Sequence, residues 1–306
     1  MTQRIRGVLA PVLTPFTDDL APDTARFVAH CRWLVDHGAG LAVFGTNSEA
    51  ASISVAERLA LTDALLEAGI PGARLMPGTG ACALPDAVAL SAHASRAGAA
   101  GLLVLPPFFF KGVSDDGVFA YYAELIERVG SGCAPIYLYH IPQFTQVPIT
   151  LPLIERLLAR YPTVIAGAKD SSGDWNNTRA MLDNFASAGF DVFPASESFL
   201  SAALPLGAAG CISATVNMNP AGIRAVYDGW NGARGPALQQ AADDVRKVFQ
   251  GAPMIPAMKH AVALQADQPQ WRHVRPPLTP LAPQVAQDLE RQLDAIGFSM
   301  PGYPRI

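Results

Sequence analysis

The feature that most constrains this chain is an alternation. Short, continuously apolar runs are followed, one after another, by stretches with helical spacing. Residues 7–13 (GVLAPVL) precede a helix over 24–37, residues 41–45 (LAVFG) one over 55–68, and residues 74–78 (RLMPG) one over 85–97. The series continues with 101–106 (GLLVLP) before 115–129, 135–140 (PIYLYH) before 151–160, and 164–169 (VIAGAK) before 175–185. It closes with 191–195 (DVFPA) before 198–208, and then 210–215 (GCISAT). Strands without polar alternation belong to a parallel sheet covered on both faces. Eight of them, separated by helices, predict an α/β fold of the (β/α)8 TIM barrel type, which needs about 250 residues.

After residue 220 the strand signal stops. Helices are expected near 220–230, 237–250, 255–265 and 283–296, interrupted by a proline-rich stretch at 275–283. Residues 1–220 are therefore expected to form the barrel, and 221–306 a C-terminal helical extension packed on it as one structural unit. Punctuation supports the alternation. Gly38, Gly98 and Gly207 stand where a helix should stop and a strand begin, a place for left-handed backbone. Ser54 followed by Glu57 is a capping box for the second helix.

Composition narrows the function classes. Half of the 306 residues are hydrophobic and 16% are charged, so a large core is available. A net charge of -4 gives no electrostatic case for nucleic acid or an anionic membrane as partner. Cys31, Cys82, Cys133 and Cys211 include no C-x-x-C pair, which favours a reduced, cytoplasmic chain. The apolar start is broken by Pro11 and Pro15 and reads as a strand, not a signal peptide. The longest apolar run, 97–110, contains two prolines and is too short to span a bilayer, so a soluble protein is expected.

Catalytic groups of such barrels sit at the C-terminal ends of the strands. Those ends carry Gly45-Thr46-Asn47-Ser48-Glu49, Pro107-Phe108-Phe109-Phe110, Tyr139-His140, Lys169-Asp170-Ser171 and Ile212-Ser213. Lys169 is conspicuous because the chain has 18 arginines and only four lysines. An amine taken out of water is held less firmly in its charged form, and the neutral amine attacks carbonyl carbon. The bland reading is a loop lysine reaching solvent. Tyr139 ends the neighbouring strand, where its phenol could shuttle protons to a carbinolamine oxygen or simply fill the core, as Tyr137 would. Gly45, Thr46 and Asn47 offer amides and a hydroxyl suited to a carboxylate, or form an ordinary turn.

Other chemistries are disfavoured. The six histidines lack metal-ligand spacing, so no metal is expected. No G-x-S-x-G elbow occurs. Residues 78–83 (GTGACA) loosely fit a dinucleotide fingerprint, but no acidic residue follows at the distance a ribose requires, and they read as a barrel turn.

Several motifs then resemble a known family. Gly7-x-x-x-Pro11-x-x-Thr14-Pro15-Phe16, Gly45-Thr46-x-x-Glu49, Tyr139-x-Ile141-Pro142, Gly167-x-Lys169-Asp170-Ser171-Ser172-Gly173-Asp174 and Gly210-x-Ile212-Ser213 occur in order. Together they resemble the dihydrodipicolinate synthase / N-acetylneuraminate lyase family of class I, Schiff-base-forming barrels. The resemblance implies an imine between Lys169 and pyruvate or another 2-oxo acid, with no separate cofactor. It implies Tyr139 as proton shuttle, Thr46 as a further catalytic residue, and Gly45 and Asn47 beside it at the carboxylate. Ile212, Ser171, Glu197, Phe109 and Phe144 take the remaining substrate-binding positions. It also implies a homotetramer built as a dimer of dimers.

The chain departs from the synthase pattern at three places. Phe144 stands where an arginine is usual, and a phenyl ring cannot make bidentate, charge-assisted contacts to a carboxylate. Phe109 replaces a tyrosine of the proton relay. Gly45-Thr46-Asn47-Ser48-Glu49 alters the usual Gly-Thr-Thr-Gly-Glu turn. The acidic pair of the sialic acid lyases is reduced to Ser196-Glu197-Ser198. The expected activity is a class I aldolase or lyase acting at C3 of a 2-oxo acid with a less anionic distal part. The phenylalanines either line that distal pocket or serve core and subunit packing. Three alternatives stay open: 4-hydroxy-tetrahydrodipicolinate synthase, weakened by Phe144 and Phe109; a 2-oxo-3-deoxy sugar acid dehydratase; and a non-catalytic 2-oxo-acid-binding paralogue.

Overall fold

The computed structural model describes residues 4–305. Its seven strands are β1 (Gly7–Ala10), β2 (Gly40–Leu41), β3 (Leu102–Val104), β4 (Ile136–His140), β5 (Ile165–Asp170), β6 (Asp191–Pro194) and β7 (Gly210–Ile212). Every strand residue is buried. The chain folds as two compact units: the described part of 1–7 with Pro71–Ile212, and Val8–Ile70 with the described part of 213–306. The tail helices thus share a unit with residues 8–70. The division drawn from the sequence at residue 220 follows strand content rather than contacts.

In the first unit, β3, β4, β5 and β6 form a parallel sheet in that order. The expected strand at 74–78 is reduced to one parallel bridge between Gly78 and Leu103. Leu103 donates to the Pro77 carbonyl at 2.9 Å and Thr79 to the Leu103 carbonyl at 3.0 Å. Pro77 has no N–H with which to extend the ladder. Gly80 lies where a Cβ would meet the Leu105 nitrogen at 2.3 Å, so this glycine serves close backbone packing.

Helices Leu84–Arg96, Asp115–Val129, Leu151–Arg160 and Trp175–Phe185 lie where the spacing predicts them. The helix expected over 198–208 is broken instead into Leu200–Ala203 and two flanking 3-10 turns. Pro205 within that stretch supplies no donor to a continuing helix. A short helix, Pro142–Thr145, follows β4 without having been expected. Tyr137 is a core residue. It stacks edge-on against Phe193, donates to Asp191 Oδ2 at 3.2 Å, and covers Gly101 and Gly167.

In the second unit, β1 and β2 pair in parallel, Leu9 with Gly40 and Ala10 with Leu41. The unit also holds helices Thr24–Asp36, Val55–Glu67, Pro220–Gly229, Gly235–Gln250, Met254–Ala266 and Pro283–Ala295. The capping box is formed. Ser54 Oγ accepts from the Glu57 amide at 3.2 Å, and Glu57 Oε2 from the Ser54 amide at 2.8 Å. Gly38, Gly98 and Gly207 end their helices with φ of 82°, 72° and 93°. Asn217 is a buried hub: its Oδ1 accepts from the Leu13 amide and its Nδ2 donates to the carbonyls of Pro11 and Ala214.

Candidate active site

Parallel pairing of β4 with β5 sets Tyr139 opposite Lys169 and His140 opposite Asp170. Both members of the first pair are 2% exposed. Lys169 Nζ donates to the Tyr139 hydroxyl at 3.2 Å and lies 4.3 Å from the centre of its ring. An amine is thus buried in an apolar sheet beside a phenol, an arrangement suited to nucleophilic attack and proton transfer. Phe193 of β6 is in register with Lys169 on the other side.

The second pair is fixed by its own hydrogen bonds. Asp170 Oδ1 accepts from the Ser172 amide at 3.0 Å, and Oδ2 from the Thr178 hydroxyl at 2.6 Å. His140 Nδ1 accepts from the Ile149 amide at 3.0 Å, which leaves the ring proton of the neutral imidazole on Nε2. Burial lowers the pKa of His140, against the pull of the Asp170 charge. The Ser171 amide donates to the His140 carbonyl at 2.7 Å, while the Ser171 carbonyl accepts from Gln143 at 2.6 Å.

The other expected residues of this unit are distributed differently. Ile212 ends β7 fully buried, and Glu197 begins a short turn after β6 with its side chain out of water. Phe109 and Phe144 are 74% and 66% exposed, and Phe110 packs edge-on against Phe109. Lys111 Nζ donates to the Phe108 and Thr145 carbonyls, tying the Phe109 loop to the short helix that carries Phe144. Within this chain neither phenylalanine lines an enclosed apolar pocket.

Gly45, Thr46 and Asn47 belong to the second unit. Thr46–Ser48 form one 3-10 turn, in which Ser48 Oγ accepts from the Gly45 amide at 3.2 Å. The Thr14 hydroxyl donates to the Ser48 carbonyl at 2.9 Å. Between Ala39 and Ala50 every residue is buried except Thr46 and Asn47, which are half-buried.

One residue was missed from the sequence. Lys259 lies fully buried in Met254–Ala266 and donates to Glu49 Oε1 and, at 2.7 Å, to the His273 carbonyl. Burial lowers its amine to about 8, against the opposing pull of Glu49, so the ammonium persists at neutral pH. Its helix, MIPAMKHAVALQA, is apolar on almost every side. A lone lysine there signals a buried charge, because a helix apolar all round has no solvent face.

Among the described residues, no group of three His, Cys, Asp or Glu side chains is arranged to hold a metal ion. No described helix is long and apolar enough to cross a membrane.

The sequence model of the dihydrodipicolinate synthetase family matches residues 4–296. An uncharacterized DapA-like lyase of Chloroflexus aurantiacus is 37% identical over 280 residues, spanning 90% of this chain and 92% of its own. The crystal structure of dihydrodipicolinate synthase from Agrobacterium tumefaciens superposes with a TM-score of 0.87 at 31% identity, over 95% of this chain and 99% of that one. YagE of E. coli K12, solved in complex with pyruvate, gives 0.86 at 26% identity, over 96% and 99%. The fold class is that of these structures, a (β/α)8 barrel with a helical C-terminal region.

Proposed function

The chain belongs to the dihydrodipicolinate synthetase family and is a lyase of the class I aldolase type, and from that premise we propose that Lys169 forms an imine with pyruvate or a related 2-oxo acid. The observation that carries this reading is the buried Lys169–Tyr139 pair, with amine and phenol 3.2 Å apart. The Lys169 amine attacks the C2 ketone. Tyr139 then passes a proton to the carbinolamine oxygen, and water leaves. The protonated imine takes the place of a cofactor as electron sink, so a C–C bond at C3 can break or form through an enamine. Gly45, Thr46 and Asn47 hold the substrate carboxylate. Ile212, Ser171 and Glu197 take the remaining substrate positions.

The distal part of the substrate is less anionic than aspartate semialdehyde, because Phe144 offers no charge where a synthase would use arginine. The exposed Phe109, Phe110 and Phe144 support a working state in which subunits cover them, and the family resemblance suggests a homotetramer. Four free cysteines suit the reducing cytoplasm. The test is to incubate the protein with pyruvate and borohydride, weigh it and map the adduct. One reduced pyruvate imine on Lys169 is expected. Its absence sinks the proposal.

A further inference from the structure

Glu49 and Lys259 form an ion pair with both side chains wholly out of water. Such a pair loses two hydration shells and is often replaceable by apolar residues without loss of stability, so what it specifies matters more than what it stabilises. What it specifies is a turn. Glu49 directly follows Thr46–Ser48 and holds φ 58° and ψ 33°, a left-handed conformation that side chains other than glycine's adopt reluctantly.

Its carboxylate is bound at both ends. Oε1 accepts from Lys259, and Oε2 accepts from the Arg275 amide at 2.9 Å. Both cations are themselves fixed. Lys259 Nζ lies 4.3 Å and the Arg275 guanidinium 4.7 Å from the centre of the buried Phe16 ring. Arg275 also donates to the Leu20 carbonyl at 2.8 Å, to the Ser52 carbonyl at 2.7 Å and to Glu57. The turn is therefore clamped at the residue that follows it by the C-terminal segment, and at Ser48 by Thr14. Thr46 and Asn47 alone are left toward solvent.

We infer that Lys259 is a positioning residue for the 2-oxo acid carboxylate, acting through Glu49 to fix the Gly45–Thr46–Asn47 turn. This rests on the proposed function, in which that turn binds the carboxylate. Lys259 touches no substrate. Its effect should therefore appear in recognition of the carboxylate and not in the chemistry at the ketone.

The experiment compares two small ketones, pyruvate and hydroxyacetone, which lacks the carboxylate, by borohydride trapping over a range of concentrations. In Lys259→Met, half-saturation by pyruvate should rise about tenfold, the scale of one charge-assisted hydrogen bond. Half-saturation by hydroxyacetone and the limiting trapping rate should stay within about twofold of the parent. Glu49→Gln keeps the shape but removes the charge and one of the two accepted hydrogen bonds. It should raise half-saturation for pyruvate alone, and it serves if Lys259→Met does not fold. A folded variant that keeps the parent's preference for pyruvate, or that loses both ketones equally, overturns the inference. If the parent itself traps no pyruvate on Lys169, the functional reading fails and the inference with it. Trapping by the parent with unchanged variants refutes the inference alone.

Discussion

Tyr139 and Lys169 are register partners across β4 and β5, buried together, with the phenol oxygen 3.2 Å from the amine. Strand pairing alone sets this geometry, so the two groups need no loop rearrangement to meet. Tyr139→Phe removes the hydroxyl and keeps the ring over which Lys169 lies. The variant should fold normally and still trap pyruvate, but form the imine about 10²- to 10⁴-fold more slowly, the usual contribution of a positioned proton carrier. Rapid-quench trapping reads this directly, and an unchanged rate would remove Tyr139 from the mechanism. Lys169→Ala should abolish trapping.

Gly167 lies two residues before Lys169 on the same strand. A Cβ there would meet the Asp191 carbonyl oxygen at 2.1 Å and the Tyr137 ring at 2.8 Å. Neither obstacle is a flexible chain end. Gly167→Ala should lower stability by about 1–3 kcal/mol through overpacking and weaken trapping by displacing β5. A parent-like thermal midpoint would show that the sheet has slack which the structure does not display.

His30 makes stability depend on pH. Its Nε2 donates to Asn217 Oδ1 at 3.0 Å, and its Nδ1 accepts from the Tyr303 hydroxyl at 3.0 Å. Burial holds the imidazole down to about 4, below its usual 6.5. Between those values the unfolded chain binds the extra proton and the folded chain does not. Stability contributed by neutral His30 is therefore full above 6.5 and lost as pH falls toward 4, by about 3 kcal/mol in all. Thermal midpoints should fall from pH 6.5 to 5 in the parent and fall less in His30→Gln. Identical slopes would refute the assignment.

Phe144 bears on substrate choice. A bidentate arginine–carboxylate contact is geometrically specific and strong, and none is available from an exposed phenyl ring. Condensation of pyruvate with aspartate semialdehyde should run at least about 100-fold below the preferred aldol reaction, on the scale of a lost charged hydrogen-bond pair. Comparable rates in a product assay would return the synthase reading.

Sequence reading reached the fold because continuous apolar runs and helix punctuation are local signals, and seven of the eight expected runs hold strands. It lost the run at 74–78 because one proline deletes one donor, and the helix at 198–208 because Pro205 splits it. Tyr139 and Lys169 were legible because each stands near the C-terminal end of an apolar run. Lys259 was not, because a lysine in a helical tail reads as solvent-facing unless the whole helix is weighed. Phe109 and Phe144 were legible as departures but not as surface residues, since exposure is a property of the fold.

The distribution of the lysines has a practical consequence. Lys111 and Lys247 are exposed, whereas Lys169 and Lys259 are buried. Acylating dyes, biotin esters and aldehyde-activated beads would find the first two lysines and spare the others. The protein could thus be tagged or immobilised through its exposed lysines while the two buried ones stay unmodified.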